Sequence, residues 1–178
     1  MGQDKGSLPF GNESMLERII RIAREVAGDV IVVARTDQVV PSAVTVANDP
    51  VVDQGPLMGI ATGLTASRTD FNIVIACDMP LINPLVLQRL VSMIEDDDAC
   101  VAVVDGHASA LCGVYRARLA KDAQALLDSG ERRVMALLER VQTKRVDAAV
   151  FRDLDPNLDS FLSCDTPEAY RLALERAD

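Results

Sequence analysis

Asp78 ends an apolar run of strand length, Phe71-Asn72-Ile73-Val74-Ile75-Ala76-Cys77-Asp78-Met79-Pro80, and the proline two residues later stops the extension. A run apolar on both faces reads as a central strand, enclosed above and below. In open α/β sheets the ligand crevice lies at the carboxyl ends of such strands. One carboxylate there suits a hard divalent cation, and Mg²⁺ commonly takes one or two carboxylates plus substrate phosphates. The expectation is a nucleotide-handling enzyme domain with Asp78 as metal ligand. The plainer alternative stays open, because an Asp before Met-Pro is also ordinary turn chemistry.

The surrounding elements must place that carboxylate. Ser14 and Glu17 have capping-box spacing ahead of Leu16, Ile19, Ile20, Ala23 and Val26, and Gly28 closes the helix. A buried strand is expected over 29–34 and a short one over 44–47, leading to Asn48-Asp49-Pro50. Asp49 is equally a turn former or a ligand contact. Gly55-Pro56-Leu57-Met58-Gly59 opens a helix, with Pro56 suited to its first turn. Asn83-Pro84 starts another helix to about Ile94. Strands are expected over 99–104 and 110–115 around the turn Asp105-Gly106, then helices over 116–127 and 131–140. A weak strand at 145–151 and a last helix from Thr166-Pro167-Glu168 complete the chain. This alternation predicts a three-layer α/β/α sandwich with a mostly parallel sheet and one antiparallel departure after Ala99. One domain over 1–178 is expected.

Bulk properties narrow the class. Eighteen basic against 27 acidic residues give a net charge of -9. That argues against a nucleic-acid surface and requires any polyanionic ligand to be held locally. Within an acidic chain, Arg132 or Arg133 is expected to reach a phosphate, although pairing with nearby acids is the commoner fate of such charges. No apolar stretch has membrane-spanning length, and no signal-peptide pattern opens the chain. The four cysteines, Cys77, Cys100, Cys112 and Cys164, lack C-x-x-C spacing. Reduced thiols in a cytoplasmic protein are expected. His107 reads as a surface residue, and Asp96-Asp97-Asp98 as a solvated helix end.

In this order the motifs resemble the MobA-like nucleotidyltransferases, specifically the molybdenum cofactor guanylyltransferases. Met1-Gly2-Gln3-Asp4-Lys5 is similar to the second half of that family's Leu-Ala-Gly-Gly…Arg-Met-Gly-x-Asp-Lys signature. Asn48-Asp49 with Gly55-Pro56-Leu57-x-Gly59 resembles its base-proximal segment, and Ala76-Cys77-Asp78-Met79-Pro80 its metal-binding strand end. Gly130-Glu131-Arg132-Arg133-Val134-Met135 and Asp165-Thr166-Pro167-Glu168 resemble two later segments. Each motif alone is weak; the five in order are specific. Departures are Val33 where the family has an Asn, Ser163 and Asp165 for the C-terminal Asn pair, and no counterpart of Leu-Ala-Gly-Gly. The first strand is thus expected to be missing from the chain as given, with Met1 an internal methionine of a longer protein.

The resemblance implies a Rossmann-like fold of the nucleotide-diphospho-sugar transferase type. It implies Mg²⁺-dependent transfer of GMP from GTP to the phosphate of molybdopterin, with release of pyrophosphate. Asp78 would hold the metal and Lys5 the phosphates, both as catalytic residues. Asp49, Gly55, Pro56 and Gly59 would contact the nucleotide, the glycines letting backbone approach it closely. Arg132, Arg133, Ser163 and Asp165 would face the acceptor. The implied partners are GTP and molybdopterin, together with a molybdoenzyme or cofactor-delivery protein, and the chain would be a monomer or weak homo-oligomer. The alternatives are a cytidylyl- or other nucleotidyltransferase and a truncated, non-catalytic nucleotide-binding homologue.

Overall fold

The Ser14 hydroxyl accepts the amide of Glu17, whose carboxylate accepts the amide of Ser14, so the expected capping box closes the first turn of α1 (Met15–Ala27). The computed structural model describes residues 5–42, 44–49 and 55–177; Met1–Asp4, the first part of the signature, lie outside them. Ahead of α1 a small hairpin pairs β1 (Pro9–Phe10) with β2 (Glu13–Ser14), unforeseen because its strands are too short to carry a period. After α1 come β3 (Ile31–Ala34), β4 (Thr45–Asn48), α2 (Pro56–Ala66), β5 (Phe71–Ile75) and α3 (Pro84–Met93). They are followed by β6 (Ala99–Val104), β7 (His107–Arg116), α4 (Leu119–Asp128), α5 (Val134–Arg140), β8 (Thr143–Asp147) and α6 (Pro167–Ala177).

The main sheet has the order β5-β7-β6-β8, and only β7 runs against the others. The mostly parallel sheet with one reversed strand after Ala99 is therefore as expected. The tight turn at Asp105 and Gly106, both with positive φ, turns β6 back on β7. The side chains of β6 alternate between two cores. Ala99 and Val101 pack with α2, α4 and α5, whereas Cys100 and Ala102 pack with α3 and Phe151. This is the three-layer arrangement, with α1 and α3 on one face and α2, α4 and α5 on the other. A third core joins Phe10 and Met15 to Cys164 and Ala173 of the C-terminal segment.

One expectation about the key strand is corrected. β5 is not a central strand: among the described residues it bonds only β7, and its side chains are half-buried or exposed. β3 and β4 form a separate parallel pair. The helices nevertheless show that β3 and β5 share one layer. From α1, Leu16 and Ile20 pack with Val32 and Ala34 of β3, while Ile22 and Val26 pack with Ile73 and Ile75 of β5. From α2, Gly63 faces Val33 of β3, and the helix shares a core with Val74 of β5. Among the described residues the sheet is split between two strands clasped by the same two helices.

Other boundaries move for local reasons. Arg116 still pairs with Phe71, so α4 begins at Leu119 instead of 116. The Asp147 carboxylate accepts the amide of Ala149 at 2.9 Å, turning the chain into a 3-10 segment over Ala148–Phe151 and ending β8 early.

Candidate active site

β5 stops at Ile75, and the residues after it are fixed from several directions. The Ala76 amide bonds the Leu111 carbonyl at 2.8 Å, continuing the ladder by one residue. The Cys164 amide donates to the Asp78 carbonyl at 2.8 Å, tying the C-terminal segment to the strand end. Arg18 of α1 donates to the Pro80 carbonyl at 2.6 Å. Met79 and Ile82 are buried beneath the turn. Asn83 caps α3 through the Leu85 amide at 2.9 Å and donates to the Leu154 carbonyl at 3.0 Å. Asp78 thus stands on a rigid corner with its side chain only 13% exposed.

Lys5 and Asp165 meet there. The Lys5 ammonium donates to Asp78 Oδ2 at 3.1 Å and also bonds the Asp165 carboxylate. The Ser163 hydroxyl donates to the other Asp165 oxygen at 2.9 Å. The hydrogen bond to Asp165 is the main cause that raises the Lys5 pKa, with Asp78 adding to it and partial burial opposing. The same lysine, followed by Ser163, lowers the Asp165 pKa. The group sets the Lys5 amine between two acidic side chains, assembled from residues far apart in the chain.

This cluster borders a cleft of about 460 Å³ lined by Asp78, Ser163 and Asp165 on one side and by Pro56 and Arg133 among others. Ser109, Ala110 and Leu111 of β7 also line it; nothing in their types marks them, since they contribute by position at the sheet's end. Gly55 caps α2 with φ 74°, a conformation that favours glycine, and its Cα hydrogen faces the Arg132 carbonyl. The turn carrying Arg133 thus lies beside the start of α2.

Glu131 organises that turn, a role the sequence reading did not give it. Its carboxylate accepts the backbone amides of Arg132 (2.8 Å) and Arg133 (3.0 Å), and Arg133 Nη2 at 2.6 Å. These bonds, led by the Arg133 guanidinium, hold its pKa down to about 2. They also delay α5 to Val134, where a helix from 131 was expected. Arg133 Nη1 has no partner among the described residues. Arg132 folds back instead, its Nη1 bonding the carbonyls of Leu127 and Glu131 at 2.8 Å each. Of the two arginines, the structure brings only Arg133 to the cleft.

The remaining expected residues are less convergent. Asp49 follows β4, its amide bonded to Ala34 at 3.1 Å, and its Oδ1 is buried without a partner among the described residues. Gly59 lies inside α2 and does not line the cleft. The structure brings together Lys5, Asp78, Ser163, Asp165, Pro56 and Arg133; it leaves Asp49, Gly59 and Arg132 outside.

The donor set suits a hard divalent cation. Two carboxylates already converge on one positive charge, and hard oxygen ligands are what such ions take. Among the described residues no group of three or more His, Cys, Asp or Glu is gathered to hold a metal. Asp78 and Asp165 would therefore leave most of a coordination shell to substrate oxygens and water. All four cysteines are free, and burial pushes the Cys164 thiol up to about 11 and the Cys112 thiol to about 12, so neither is a nucleophile near neutral pH.

Comparison with known proteins agrees with the fold. A probable molybdenum cofactor guanylyltransferase of Methanothermobacter thermautotrophicus is 34% identical over 186 residues, covering 97% of this chain and 91% of the relative. The crystal structure of molybdopterin-guanine dinucleotide biosynthesis protein A from Archaeoglobus fulgidus superposes with TM-score 0.81 at 22% identity, covering 99% of this chain and 91% of that one. A Mycobacterium tuberculosis H37Rv protein solved in complex with manganese shares the fold at TM-score 0.67 and 16% identity, covering 96% and 91%. The MobA-like NTP transferase domain profile matches residues 1–146. With the expected layers in place and Asp78 at the end of its strand, the chain is a nucleotidyltransferase that belongs to the MobA-like NTP transferase domain family.

Proposed function

We propose that this protein transfers GMP from GTP to the phosphate of molybdopterin, releasing pyrophosphate, with a divalent cation, Mg²⁺, at Asp78. The observation that carries the reading is the meeting of Lys5 with Asp78 and Asp165, two carboxylates that line one cleft together with Arg133. The names of close relatives, which describe guanylyltransferases of the molybdenum cofactor, support the choice of donor and acceptor. In the reaction an oxygen of the acceptor phosphate bonds the α-phosphorus of GTP. The bond from that phosphorus to the bridging α–β oxygen breaks, and its electron pair leaves with pyrophosphate.

Both reactants are anions, so catalysis is mainly positioning and charge neutralisation. The phosphate nucleophile is already ionised, and no base is required of the chain. Asp78, with Asp165 beside it, would hold the cation, which when bound supplies charge neutralisation on the triphosphate. Lys5 places a compact ammonium against the phosphates. Arg133, fixed along one edge by Glu131, offers Nη1 to an anion in the cleft, and we assign it to the acceptor phosphate with Ser163. Pro56, with the Gly55 turn beside it, would border the nucleotide; Asp49, outside the cleft, is given no contact with it.

Isothermal titration with GTP and CTP, with and without Mg²⁺, tests the donor: Mg²⁺-dependent binding, tightest for GTP, is expected. Tighter binding of CTP would reassign the chain to cytidylyl transfer. Asp78→Asn is expected to lower pyrophosphate release by about 10²-fold or more while leaving the thermal midpoint nearly unchanged. Normal turnover in that variant would remove the metal assignment.

A further inference from the structure

We propose that Lys5 is an internal stand-in for the metal: in the free protein its ammonium neutralises the cation position, and it leaves Asp78 for the nucleotide's phosphates when metal and nucleotide bind. Metal and nucleotide then bind with positive coupling, and Lys5 sets its size. This rests on the nucleotidyltransferase reading of the site, but not on which nucleotide or acceptor is used.

The geometry points to exchange rather than to simultaneous binding. The Asp78 carboxylate faces Lys5 Nζ at 3.1 Å and has no other ion pair among the described residues. The same ammonium bonds Asp165, so it sits between the two oxygens a cation would use. A dication at Asp78 carries the same sign as Lys5 and competes for the same carboxylate. When metal arrives alone, Lys5 loses Asp78 and shares with the cation the Asp165 carboxylate, whose side chain is 66% exposed, so the broken pair weakens metal binding. When nucleotide arrives with it, the triphosphate gives the displaced ammonium a new anion and the penalty disappears.

Lys5 is built to move. It opens the three-residue 3-10 turn Lys5–Ser7, which is anchored by the Leu8 amide on the Lys5 carbonyl at 3.1 Å. Its four-carbon stem can carry Nζ several ångströms over a fixed backbone, as a rigid, forked arginine would do less readily. Asp78 does not follow, because its carbonyl is held by Cys164 and the turn beyond it by Arg18. Asp165, oriented by Ser163, stays as the second anchor.

The test is Mn²⁺ binding to the full chain, read as free Mn²⁺ by electron paramagnetic resonance. It is run with and without whichever α,β-methylene analogue binds more tightly, that of GTP or that of CTP. In the unmodified protein the analogue is expected to tighten Mn²⁺ binding on the order of tenfold or more. Lys5→Gln is expected to tighten Mn²⁺ binding to the free protein several-fold, with the nucleotide-induced gain shrinking to match. Lys5→Arg, which keeps the charge, should retain the weak free-protein affinity.

An unchanged or weaker Mn²⁺ affinity in free, folded Lys5→Gln overturns the proposal and leaves the enzymatic reading standing. Should Lys5→Gln fail to fold, the unmodified protein decides, since absence of coupling between Mn²⁺ and nucleotide overturns the exchange. If Mn²⁺ does not bind even with nucleotide, the metal reading of Asp78 falls as well.

Discussion

A single carboxylate can organise two functions at once, and Glu131 does so here. It closes the turn before α5 by accepting two backbone amides, and it grips Arg133 along the Nε and Nη2 edge. An arginine whose side chain is 72% exposed would otherwise sample many rotamers. Glu131 titrates at about 2 against an ordinary value of 4.5, so its stabilising contribution is complete above 4.5 and is lost as the pH falls towards 2. Glu131→Gln is therefore expected to be less stable than the unmodified protein at neutral pH. The difference should shrink through that acid window, followed by thermal midpoints at successive pH values. A constant difference across the window would assign the stabilisation to packing. At this scale the sequence exposed the acids and bases but not their partners. Arg132 and Arg133 are adjacent and chemically identical, yet one folds onto carbonyls and the other reaches the cleft.

At the scale of elements, the β6–β7 pair is tightly packed. Gly113 of β7 lies against Val101 and Tyr115; a methyl group there would stand 2.7 Å from Val101 Cγ1 and 2.9 Å from the Cys100 carbonyl. Neither neighbour is the free end of a flexible chain. Gly113→Ala is expected to cost about 1–3 kcal/mol, visible as a lower urea midpoint. No loss would mean that the sheet can spread at this point. Caps and turns were legible because they are local: Ser14 with Glu17, Asn83 with Pro84 and Asp105 with Gly106 all stand where their chemistry suggests. Boundaries slipped where a distant partner or a side-chain bond intervened, as when Arg116 stayed paired with Phe71 and Asp147 bent the end of β8.

Across the whole molecule the sheet divides into a tight half and a loose one. β6 carries four fully buried residues and bonds strands on both sides, whereas among the described residues β3 and β4 pair only with each other and β4 is largely exposed. Local opening free energies follow burial and ladder bonding. Amide hydrogen exchange is therefore expected to be slowest in β6 and β7, faster in β5 and fastest in β3 and β4. The last pair should exchange by local opening that leaves β6 protected. Equal protection across all these strands would show that α1 and α2 hold the two parts as one cooperative unit.

The sequence by itself determined the alternation of strands and helices, the caps that start them and the acid at the end of β5, because each depends on neighbours within a few positions. Tertiary structure alone decided that β5 bonds one neighbour among the described residues, that Lys5 and Asp165 close on Asp78, and which arginine meets the cleft. Those outcomes join residues as much as 160 positions apart. No local pattern encodes such a meeting; it follows from how the layers pack and where their ends converge.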